Sequence, residues 1–123
     1  MVDSQLRAPW NSVISATVDA ARHTLKDDLV SIMIRGSIAC GRAVPGVSDA
    51  DFIVVFKAGE SSSRPEARLS SSEARALRQV AKDLASQFPA VSKIELTPVP
   101  IADPEALQAL SQGVSSSDAV FAA

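Results

Sequence analysis

The stretch Arg35-Gly36-Ser37-Ile38-Ala39-Cys40-Gly41-Arg42-Ala43-Val44-Pro45-Gly46-Val47-Ser48-Asp49-Ala50-Asp51-Phe52-Ile53-Val54-Val55 decides how this chain is read. It joins two segments of strand character. Leu29 to Arg35 is short, rich in β-branched residues and stopped by Gly36, which predicts a strand. Asp51 to Phe56 is an acid followed by an unbroken apolar run, which predicts a central strand covered on both faces. Between them, Ser37 is expected to open a brief turn of helix through Arg42. Ala43 to Ser48, with Pro45 and Gly46, reads as a loop.

Outward from this stretch the pattern alternates. Ile14, Val18, Ala21 and Leu25 recur at spacings of four, three and four, which makes one apolar helix face, with Asn11 as its expected cap. His23 lies off that face, beside no second ligand at metal spacing, and reads as a solvated helix residue. Downstream, Lys57 to Ser72 is rich in Ser and is expected to be mobile. Ser70 and Glu73 form a capping box for a helix carrying Leu77, Ala81, Leu84 and Phe88, stopped by Pro89. Val91 to Val99 reads as a third strand ended by Pro98 and Pro100, and Asp103-Pro104 opens a helix to about Ser111. The tail after Gly113 has no clear period. The expected fold is α/β with α+β character: a small mixed three-stranded sheet with flanking helices, in one domain over 1–123, with a core at about 10–111 and a poorly ordered tail at 112–123.

Composition narrows the function. The chain of 123 residues is long enough for a single core, and its aromatics are sparse, with one Trp, four Phe and no Tyr. A formal charge of −2 supplies no general basic field for nucleic-acid binding. One cysteine, Cys40, forms no internal disulfide and suits a reducing cytoplasm. No apolar run approaches the roughly 20 residues that span a bilayer, and Met1 to Pro9 lacks a secretory layout, so a cytoplasmic location is expected.

Three features carry chemistry. Gly36 permits close approach of an anion to backbone N–H groups, and Ser37 adds a hydroxyl. Taken alone, this pair is a plain strand-to-helix turn with Ser37 as cap; the acids that follow give it meaning. Asp49 and Asp51, two apart on extended chain, point to one side roughly 6–7 Å apart at the backbone. That spacing suits a hard divalent ion such as Mg²⁺, which takes one or two carboxylates plus substrate phosphates. Asp49 is equally at home as a turn residue. Asp51 begins a strand expected to be buried, where an acid without a cation is costly. Glu95 lies on the polar side of the third strand. In-line transfer uses a third carboxylate to hold a second metal or take the acceptor's proton, which singles Glu95 out.

In this order, the Gly-Ser turn, the loop of about ten residues and the acid-x-acid opening an apolar strand resemble the core motif of the polymerase-beta-like nucleotidyltransferase superfamily. The small bacterial domains of minimal and aminoglycoside-modifying type are the nearest in flavour, over roughly residues 10–110. The resemblance implies the nucleotidyltransferase fold and transfer of a nucleoside monophosphate from ATP or another NTP to an acceptor hydroxyl, with release of pyrophosphate. It implies that Gly36 and Ser37 contact the triphosphate and that Asp49, Asp51 and Glu95 are catalytic and bind Mg²⁺, or Mn²⁺ in its place. The family's short helix commonly reads Ala-Arg-Gly, whereas here it reads Ala39-Cys40-Gly41. Arg42, one step on and about 100° around a helix, is the cation left for the triphosphate. Cys40 reads as a small packing residue. Larger relatives continue into a helical domain, so this chain is either a minimal domain or the front of a longer protein. A homodimer or partner protein is expected, with contact at 104–121; the acceptor, small molecule or protein, is not legible. The alternative is a non-catalytic binding or antitoxin partner module of the same fold.

Overall fold

The apolar stripe of the first helix is the start of the core. In the computed structural model, which describes residues 9–58, 68–101 and the backbone of 118–122, helix α1 spans Trp10–Leu25 and buries Val13, Ile14, Thr17, Val18, Ala21 and Leu25. Its N-cap is Pro9, with no side-chain cap. Asn11, the expected cap, lies inside the first turn, where its Oδ1 accepts from Ser12 N at 2.9 Å. A 3₁₀ turn, Lys26–Asp28, leads into strand β1, Leu29–Arg35. Strand β2 is Ala50–Lys57, helix α2 Ser71–Gln87, strand β3 Ile94–Ile101 and strand β4 Asp118–Ala122.

The sheet order is β3-β2-β1-β4. β1 runs antiparallel to β2 and β4, while β2 and β3 are parallel. The mixed sheet with helices is therefore the expected one. Its three expected strands are joined by a fourth, because the end of the tail lies along the free side of β1. The segments expected as a mobile stretch and as a last helix (104–111) fall largely or wholly outside the described residues.

Both helices pack on one face of the sheet. Ile32 and Ile34 of β1, Ala50, Phe52, Val54 and Phe56 of β2, and Ile94 and Leu96 of β3 share one cluster with the apolar faces of α1 and α2. The alternate residues point to the opposite face. There Ser31, Met33 and Val55 are also buried, so β2 is covered on both sides as its sequence requires. The capping box is formed: Glu73 N donates to Ser70 Oγ, and Ser70 N donates to Glu73 Oε1 at 3.0 Å.

Residues 36–41 form the expected brief turn and no more: Cys40 N bonds Gly36 O, and Gly41, at positive φ, closes it with Gly41 N on Ile38 O and Arg42 N on Ser37 O. Two expectations are corrected. Residues 118–122, expected within a poorly ordered tail, pair with β1 as β4. Pro98 and Pro100 do not end the third strand but lie inside it. Ala50 N donates to Lys93 O and Ala58 N to Ile101 O, so the odd-numbered residues of β3 turn their polar backbone toward β2. The even-numbered prolines face the sheet edge, where no N–H is needed.

Two substitutions should move stability in opposite directions. Ser70→Ala removes the cap and should cost about 1 kcal/mol. Ser31 is 2% exposed and its Oγ has no hydrogen-bond partner among the described residues; Ser31→Ala should therefore leave stability unchanged or raise it by up to about 1 kcal/mol. Urea denaturation of both variants checks the pair.

Candidate active site

Three loops and strand ends meet at one end of the sheet. The first is the turn after β1. Gly36 sits at φ +81°, and nothing lies within 4 Å of where its Cβ would be, so a ligand atom can approach the backbone from that side. Cys40 N bonds Gly36 O at 3.2 Å and Arg42 N bonds Ser37 O at 2.8 Å. Among the described residues, the N–H groups of Ser37, Ile38 and Ala39 take no partner within the turn. Successive unpaired N–H groups in a turn form a concave anion site. Ile38 is buried and anchors this turn in the core.

The second component is the loop before β2, stapled to the segment before β3. Gly46 N donates to Ala90 O at 2.7 Å, Ser92 N to Ser48 O at 3.1 Å and Ala50 N to Lys93 O at 2.8 Å. Ser92 Oγ lies 2.5 Å from Asp49 Oδ1 and 3.0 Å from Val47 O. Its single proton serves two acceptors, and the nearer, charged carboxylate holds it more strongly. Asp49 is thus oriented from the third loop. Ser92 carries no signal of this role in the sequence, since nothing in a serine 43 residues from its partner marks the contact.

The third component is register. Asp51 pairs with Arg35 on the antiparallel side and with Glu95 on the parallel side. Register partners on neighbouring strands share a face at about 4.8 Å spacing. Asp51 and Glu95 therefore project from the face away from the helices, and Gly36 follows directly after Asp51's partner Arg35. Asp51 is half-buried, and Asp49 and Glu95 are exposed. The Glu95 carboxylate is ion-paired with Lys93. That hydrogen bond and the charge of Glu95, with a smaller contribution from Asp49, hold the Lys93 ammonium above its ordinary value of 10.5.

Arg42 is exposed beyond the turn, and Cys40 is exposed too, correcting its reading as a packing residue. Its Sγ lies 3.7 Å from Ser37 O.

The donor chemistry, all carboxylate and hydroxyl oxygen, suits a hard divalent cation. Among the described residues no three such side chains converge as a metal cage. One oxygen of Asp49 is taken by Ser92 and one of Glu95 by Lys93. Mg²⁺ commonly takes one or two carboxylates and completes its shell with substrate phosphates, and Asp51 beside Glu95 is the register pair with that chemistry. No described helix is long and apolar enough to cross a membrane.

No protein-family model matches the chain, and no curated protein matches it. Among solved structures it is similar to a spectinomycin adenyltransferase from Enterococcus faecialis, crystallised with ATP and spectinomycin, at 21% identity and a TM-score of 0.49. The match covers 89% of this chain and 48% of that one, so the chain spans about half that protein's length.

Two measurements check this geometry. In a Glu95→Gln variant the Lys93 titration midpoint, followed by NMR, should fall back toward 10.5. The sign follows from linkage: a raised lysine value stabilises the fold fully below the unfolded value, and the contribution is lost as pH rises through the folded one. Ser92→Ala should speed amide exchange at Ser48 and Asp49 and cost about 1 kcal/mol.

Proposed function

We propose that the chain transfers a nucleoside monophosphate from an NTP, with ATP the expected donor, to an acceptor hydroxyl. One observation carries this reading: the register Arg35–Asp51–Glu95 sets two carboxylates side by side, next to the open Gly36 turn. The unpaired N–H groups of residues 37–39 and the Ser37 hydroxyl receive phosphate oxygens of the triphosphate. Asp49 and Asp51, with Glu95, are the ligands for Mg²⁺, which when bound supplies neutralisation of the charge developing on the transferring phosphoryl group. Ser92 keeps Asp49 in one rotamer before substrate arrives. The acceptor oxygen forms a bond to the α-phosphorus as the α–β bridging bond breaks and pyrophosphate departs. The hydroxyl proton passes to the Glu95 carboxylate, which keeps an unpaired oxygen beside its Lys93 contact.

The second reading, a binding module of this fold without turnover, draws on the ties Glu95–Lys93 and Asp49–Ser92, which occupy two of the three carboxylates. Activity separates the two. With Mg²⁺, α-labelled ATP and cell extract as acceptor source, the wild-type chain should label an acceptor. Asp49→Asn and Asp51→Asn should each lower labelling at least about 100-fold, a loss of several kcal/mol of charge stabilisation. Both variants should remain folded, with unchanged or higher metal-free melting temperatures, since a repelling like charge is gone. Full labelling by the doubly substituted chain would sink the assignment, and absence of labelling by the wild type favours the binding module.

A further inference from the structure

A groove of about 490 Å³ runs along the free edge of β3 beside α2, within the size range of small-molecule sites. Leu77, Ala81, Ala85 and Leu96 give it an apolar floor, and at one end it takes in Ser92, Lys93 and Glu95. Its charges are sorted. Arg78 and Lys82, one helical turn apart, line it. Among the described residues, neither has an ion-pair partner. Glu95, the carboxylate that borders the groove, is paired with Lys93 instead. Gln79 and Asp83, a step further around the helix, bond each other at 2.9 Å and so draw the nearby carboxylate away from the groove cations. The wall thus presents two uncompensated cations one turn apart over an apolar floor. A guanidinium beside an ammonium matches the several oxygens of a phosphate monoester better than a single carboxylate.

We infer that this groove binds a phosphate ester with an organic body: Arg78 and Lys82 hold the phosphate, and the body lies on Leu77, Ala81 and Leu96. Resting on the transferase reading, the bound molecule is the acceptor, because Glu95 borders the groove at one end and a hydroxyl that reaches over the edge of β3 there meets the carboxylate that takes its proton. The apolar floor and the distance along the strand from the Gly36 turn distinguish this place from the triphosphate site.

The test uses glycerol 3-phosphate as probe, on the whole chain, with neither Mg²⁺ nor NTP present. Amide NMR shifts should titrate saturably at residues 77–85 and 92–96, and glycerol should leave them unmoved. The Arg78→Gln, Lys82→Gln double variant should weaken binding at least tenfold and keep its melting temperature, since both residues are exposed. Arg78→Lys should retain part of the affinity. Shifts confined to residues 36–42, shifts unchanged in the double variant, or equal binding of glycerol would each overturn the phosphate site. So would Mg²⁺-free ATP moving the same groove residues more tightly than the probe does, since the groove would then hold a triphosphate. Because this readout needs no turnover, groove binding by a chain that transfers no nucleotide would end the transferase reading and the acceptor role with it, while the phosphate site stands.

Discussion

The parallel pairing of β2 with β3 is the contact on which the rest depends. Parallel neighbours cannot be joined by a tight hairpin, so the chain must leave the sheet after Lys57 and return, and α2 is that return. The pairing sets Asp51 level with Glu95. It also extends beyond the strands: the bonds from Gly46 to Ala90, Ser92 to Ser48 and Ala50 to Lys93 continue the contact into both entry loops. A slip of one residue would turn Asp51 into the helix-packed core and Phe52 out of it. The fully buried Phe52, Val54 and Phe56 hold the register against that slip, so the hydrophobic core and the carboxylate face are two consequences of one alignment.

Much of this was legible in the chain because its signals are local. The stripe Ile14, Val18, Ala21 and Leu25, the Ser70–Glu73 capping box and the run Phe52 to Phe56 each state their structure within a few residues, and each is found as read. The expected same-side placement of Asp49 and Asp51 drew on the two-residue period of a strand, whereas Asp49 precedes β2 and is oriented by Ser92. What escaped depends on distant partners. Proline ends a strand only if its nitrogen faces a neighbour, and whether it does is set by β2, over forty residues earlier. Ser92 gains its place from a bond across 43 positions.

Electrostatically, the site end of the sheet is arranged by near-cancellation. Asp51 faces Arg35 in register, Glu95 is tied to Lys93 and Asp49 to a hydroxyl. Three acids on neighbouring strands would repel if left alone. The ties of Glu95 and Asp49 let the acids coexist in the folded chain before any substrate cation arrives, and both are solvent-accessible contacts that a stronger ligand can displace. Preorganisation here means partners that are easily exchanged.

The two prolines of β3 have a consequence for how this molecule meets others. With Pro98 and Pro100 turned outward, the far half of that edge offers carbonyls but no donors, so an incoming strand would find only half of a ladder there. Growth of the sheet by stacking chain on chain is thereby discouraged at that flank. Main-chain pairing with another molecule along that flank is left to the near half, where Ile94 and Leu96 keep both donor and acceptor turned to the edge, which makes the domain's outer strand half open and half closed.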